Sequence, residues 1–143
     1  MAIGQNAEER VVGNADIDVV KAVFAAFAER DVEAVLAHAD PEIVFATVTG
    51  EQIGRDEPYH GHDGMREYFR DVARVWEELR LVPQDFRQVG ECVLVTGRVT
   101  ARSPARIMTG STGWIWRVVG GRVVYGRVYP SAGEAIDALR HEG

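Results

Sequence analysis

Two alternating runs near the end of the chain, Trp114 to Val119 and Arg122 to Tyr129, meet at the pair Gly120-Gly121. Side chains on a strand alternate between faces, so Trp114 and Trp116 share one side of the first run. On the second run Tyr125, Arg127 and Tyr129 lie opposite Val124 and Val128. A two-residue glycine link between such runs predicts a tight hairpin. Pro130 closes the second strand, and Ser131-Ala132-Gly133-Glu134 has the spacing of a capping box ahead of Ile136 and Leu139, the apolar side of a last helix. A chain that ends this way ends in a sheet with a helix laid beside it.

The rest of the sequence supplies helices first and strands later. From Asp16, the apolar residues Val20, Val23, Phe24 and Phe27 recur at helical spacing, and Asp31 can cap a short second helix carrying Val32, Val35 and Leu36, with Pro41 ending it. Ile43 to Thr49 reads as a strand, and Gly50 to Gly61 as a long polar loop of the kind that often binds or covers a ligand. A third helix has Met65, Tyr68, Phe69, Val72, Trp76 and Leu79 on one stripe, with Arg66, Glu67, Arg70, Arg74 and Glu77 on the other. Period-two runs follow over Leu81 to Val89 and Cys92 to Ser103, joined at Gly90-Glu91, before a loop from Pro104 to Gly110. Residues 1 to 14 lack periodicity and are expected to form a flexible arm, leaving residues 15 to 143 as one domain.

At 143 residues the chain is long enough to bury roughly two-thirds of its unfolded surface without staples. Its single cysteine, Cys92, forms no internal disulfide, and no N-terminal run has the features of a signal peptide, so a cytoplasmic protein is expected. No apolar stretch approaches the ~18 residues of a membrane span. The net charge of -6, with 16 basic residues scattered along the chain, argues against nucleic acid, whose binding depends on phosphate neutralisation. His38, His60, His62 and His141 lack the spacing of a metal site, and no metal is expected.

The order of elements is α+β: two helices, a strand, a helix, then four strands and a short terminal helix. That order, with Tyr59-His60-Gly61-His62-Asp63-Gly64-Met65 opening the third helix and a Trp-x-Trp strand before a Gly-Gly hairpin, resembles the SnoaL-like branch of the nuclear transport factor 2 superfamily over about residues 16 to 140. The resemblance implies a cone-shaped, curved antiparallel sheet wrapped around the N-terminal helices, a cystatin-like roll, with a pocket for a small apolar molecule. It also implies no cofactor, and a homodimer through the outer sheet face, where Tyr125, Arg127 and Tyr129 would lie. The catalytic sets of known relatives are not matched. Where ketosteroid isomerases carry a base, a second acid and a tyrosine, this chain has Ala46, Trp114 and Phe24 or Phe27. The epoxide hydrolases' arginine matches Arg98, but their acids fall on Thr100 and near Val128.

The candidate catalytic residues are therefore His60, His62 and Arg98. Arg98 would anchor a carboxylate, enolate or carbonyl oxygen if the face it shares with Leu94, Thr96 and Thr100 points inward; otherwise it is a solvated arginine or pairs with Glu51 or Asp56. The histidines could act as acid or base, or fill a turn that Asp63 caps. Candidate ligand-binding residues are Phe24, Phe27, Thr47, Tyr59, Tyr68, Thr100, Trp114 and Trp116, an aromatic wall or simply core. The expected function is binding of a small apolar or aromatic molecule. One alternative is a cofactor-independent isomerase, hydrolase or cyclase using His60 or His62 with Arg98; a second is a dimeric scaffold with a filled core.

Overall fold

The computed structural model describes residues 2–142, with side chains described over 15–140. The first helix, α1, spans Ala2–Ala28. The arm expected over residues 1–14 falls outside the described side chains. Val20, Val23, Phe24 and Phe27 are buried on one side of α1, as their spacing predicts. The turn after α1 closes at Arg30, whose φ of 54° is the left-handed conformation that lets Asp31 N–H reach the Ala26 carbonyl at 3.0 Å. Glycine is usual there, but the Arg30 guanidinium covers the Phe27 ring at 4.4 Å and donates to the carbonyls of Phe27 and Leu79, bonds that offset the backbone strain.

Helix α2, Val32–Ala37, is capped by Asp31, whose side chain accepts from Ala34 N–H at 3.1 Å. Pro41 does not end it. The helix stops at Ala37 and Pro41 lies inside strand β1, Ala39–Ala46, at a place where the ladder to the neighbouring strand is interrupted between Ala39 and Val44. A proline has no N–H to donate, so a break in the ladder is where a strand accommodates one. The strand expected to reach Thr49 ends at Ala46, because the Thr47 hydroxyl accepts from Gly50 N–H at 2.8 Å and starts the short helix α3, Val48–Gln52. The expected long loop thus holds the end of α3 and the two-residue strand β2, Tyr59–His60.

Helix α4 runs Gly61–Val75 and buries Met65, Tyr68 and Val72. Trp76 and Leu79, read as the end of its apolar stripe, are not helical. Trp76 is extended, its indole N–H donates to the Thr49 hydroxyl at 3.1 Å, and Glu77 N–H already bonds to the Arg102 carbonyl. Strands β3 (Glu78–Val89), β4 (Cys92–Arg102), β5 (Ile107–Val119) and β6 (Arg122–Tyr129) form a meander. β5 starts earlier than expected, since the turn between Ser103 and Arg106 is closed by its own hydrogen bonds and Gly110 pairs with Val99. Gly120 and Gly121 have φ of 59° and 81°, the paired positive values of the expected two-residue hairpin. Helix α5, Ala132–Glu142, is capped by the Ser131 hydroxyl, which accepts from Glu134 N–H at 3.2 Å.

The six strands form one curved, open sheet in the order β2-β1-β6-β5-β4-β3. The sheet was expected to be antiparallel throughout, but β1 and β6 run parallel. The chain leaves β1, crosses through α4 and returns after three hairpin strands on the same heading. Strand register assigns the faces: Val95 opposes Trp114, Val93 opposes Trp116, Trp116 opposes Gly126, and Gly126 opposes Phe45, all turned toward α1 and α4. The alternate residues Leu94, Ile115 and Tyr129 turn the other way and form a second apolar cluster with Ala135 of α5. Among the described residues no helix is long and apolar enough to cross a membrane.

Candidate functional site

The concave side of the sheet is not completely filled. A cavity of about 160 Å³ lies between α1, α3, α4 and the inner residues of β4, β5 and β6. Its walls are rings packed edge to face or flat. Phe24 meets Trp114 at 4.9 Å and 84°, Phe45 lies on Trp116 at 5.6 Å and 15°, and Tyr68 meets Phe45 edge-on at 5.0 Å. These are the offset and perpendicular geometries that the ring quadrupole favours. Gly126 makes the flat pair possible: a Cβ there would stand 2.6 Å from the Trp116 ring. Toward the surface the lining passes to Val48, Met108, Thr109 and Pro130, which are half-buried or exposed, and this end is the mouth.

No acidic, basic or histidine side chain lines the cavity among the described residues. Its polar side-chain groups are hydroxyls and indole N–H groups. Thr47 and Thr49 accept from Gly50 N–H and from the Trp76 indole, while Thr112 donates to the Tyr129 carbonyl at 2.9 Å. The Tyr68 hydroxyl forms no hydrogen bond with a described residue. Burial pushes its phenol well above the ordinary range, with Arg30 acting in the opposite direction, so the ring stays neutral at any physiological pH.

Of the residues singled out from sequence, Phe24, Phe27, Thr47, Tyr68, Trp114 and Trp116 line this cavity. The others lie elsewhere. Arg98 is exposed and opposes Ser111 on the outer face of the sheet, and Thr100 shares that face, its hydroxyl 3.3 Å from that of Thr109. His60 is exposed, 3.4 Å from a Glu42 carboxylate oxygen, and His62 contacts the Ala39 carbonyl at 3.0 Å. Tyr59 is buried outside the cavity and donates to Asp71 at 2.7 Å. Asp63 forms no helix cap; it pairs with Arg66 at 3.0 Å. Of the three residues expected at a dimer face, Tyr129 is buried in the cluster beneath α5, while Arg127 is exposed.

Sequence reasoning missed Phe45, Thr49 and the buried carboxylate Asp71. Phe45 had a signal, since it alternates with Ile43 as a large apolar residue on a strand. Asp71 had none: a charged residue within a charged helix reads as solvated, yet it is 4% exposed, held by Tyr59 and by Arg74 at 2.6 Å.

The profile of the SnoaL-like domain matches residues 20–126. Among solved structures, an NTF2-like protein of unknown function from Burkholderia pseudomallei K96243 is 27% identical, with a TM-score of 0.74 over 86% of this chain and 95% of that one. TerC, co-crystallized with polyporic acid, is 23% identical, with a TM-score of 0.74 over 88% of this chain and 98% of that one. A protein of ketosteroid isomerase-like fold from Catenulispora acidiphila DSM 44928, in complex with trimethylamine, is 13% identical, with a TM-score of 0.67 over 79% of this chain and 85% of that one. No curated protein matches. With the profile spanning most of the chain and the helices seated in a curved open sheet, the chain belongs to the SnoaL-like domain family.

Proposed function

We propose that this protein binds a small apolar or aromatic molecule in the cavity on the concave side of its sheet. The observation that carries the reading is an aromatic-walled space of about 160 Å³ with no ionised side chain among the described residues of its lining. That volume is on the order of the ~150 Å³ apolar cavity that takes up benzene, so the ligand is the size of a single ring. Two similarly folded proteins were crystallised with organic molecules, polyporic acid in one and trimethylamine in the other, which supports a ligand-holding use of the architecture.

Binding is favoured over acid-base catalysis by the placement of the titratable groups. A proton-transfer group must come within hydrogen-bond reach of its substrate, and His60, His62 and Arg98 all lie off the cavity. The test is calorimetric titration with toluene and ethylbenzene of the protein and of Val99→Phe, whose larger ring would occupy the cavity from β4. Saturable binding that disappears in the folded Val99→Phe protein is expected. Equal binding by both proteins, or none by either, would reject the reading.

A further inference from the structure

Some hydrogen-bond donors of the cavity wall have no acceptor among the described residues. Trp116 is 4% exposed and its indole N–H is buried without a partner. An indole nitrogen can only donate. Tyr68, also 4% exposed, packs on the other partner of the same ring, Phe45, and its hydroxyl has no partner among the described residues. Thr47 and Thr49 already receive a hydrogen bond on oxygen, which leaves each hydroxyl proton to be given away. Buried polar groups are nearly always paired in folded proteins, so a donor left over in a cavity wall is a place for an acceptor from outside.

Resting on the binding reading above, we propose that the ligand is a neutral single-ring molecule bearing one hydrogen-bond acceptor, a carbonyl or ether oxygen, with the Tyr68 hydroxyl as its donor. Charge is disfavoured on both signs. Among the described residues of the lining there is no cation to meet an anion and no carboxylate to meet a cation, so either ion would lose its hydration without a counter-charge.

Acetophenone and α-methylstyrene test this, because they differ mainly in a carbonyl oxygen exchanged for a methylene of similar shape. Their affinities are measured by calorimetry on the wild-type protein and on Tyr68→Phe, with benzoate and benzyltrimethylammonium as charged controls and a thermal melt to show that the variant folds. The expected result is a loss of about 10-fold in acetophenone affinity on Tyr68→Phe, the effect of one neutral hydrogen bond. α-Methylstyrene should change by less than about twofold, and neither ion should bind more tightly than acetophenone. If both neutral probes bind and the substitution changes neither, the donor assignment fails while the cavity reading stands. Tighter binding of either ion would overturn the neutral-ligand assignment, and no binding of any probe would overturn both proposals together.

Discussion

The Phe45 ring lies flat on the Trp116 indole, 5.6 Å between centroids and 15° from parallel, directly above Gly126. The stack joins the first strand to the last hairpin at the cavity wall. Gly126→Ala would set a methyl carbon 2.6 to 2.7 Å from two atoms of the indole. The ring must move, and overpacking of this kind costs about 1–3 kcal/mol. A lowered urea midpoint with a changed near-ultraviolet dichroism is the expected outcome; an unchanged midpoint would show that the stack slides freely.

Trp114 is 1% exposed and meets Phe24 edge-on beside the cavity. Trp114→Ala should cost about 3–5 kcal/mol, since it removes a large buried ring next to space that cannot collapse around the gap. Chemical denaturation measures this. A loss below about 1 kcal/mol would mean that the wall relaxes inward.

Tyr59 and Tyr68 make stability fall in alkaline solution. Burial raises both phenols above their ordinary value near 10, and for Tyr59 the Asp71 carboxylate adds to the effect. A group whose folded pKa is raised contributes fully below its unfolded pKa, so stability is complete below about pH 10 and declines above it. Each phenol removes about 1.4 kcal/mol per pH unit in that window. Denaturation midpoints from pH 9 to 12 should show the decline, and Tyr68→Phe should make it shallower; an unaltered slope in that variant would contradict the burial of its hydroxyl.

Arg98 serves as the counter-test of the site. It is exposed on the outer face, so Arg98→Met should leave the affinity for acetophenone within about twofold and stability within about 0.5 kcal/mol. A large loss of affinity in calorimetry would return Arg98 to the binding machinery.

Stripes and alternations carried much of the architecture into the sequence. Val20, Val23, Phe24 and Phe27 announce a buried helix face, Asp31 and Ser131 announce the caps they form, and Gly120-Gly121 announces its turn. Long-range pairing was not legible, because nothing local in β1 says that its neighbour will be the parallel β6. The facing of β4, left open between its two sets of residues, is legible in their polarity. Alternation allows two assignments, and the set Val93, Val95, Val99 and Ala101 is wholly apolar, whereas the set holding Arg98 is mixed. Polarity alone favours the first set as the inner one. Within the site, the rings were visible as candidates, but the Thr49 hydroxyl takes its partner from the Trp76 indole at the end of α4, a pairing that no spacing in the chain reveals.

The cavity's floor and its mouth draw on different kinds of residue. The floor is made of rings that also hold the sheet to its helices, while the mouth is made of Val48, Met108, Thr109 and Pro130 on short connections and strand ends. Exchanges at the floor are paid in stability, and exchanges at the mouth are nearly free. Divergence among proteins built this way can therefore retune which molecules are admitted while the scaffold itself stays under constant selection.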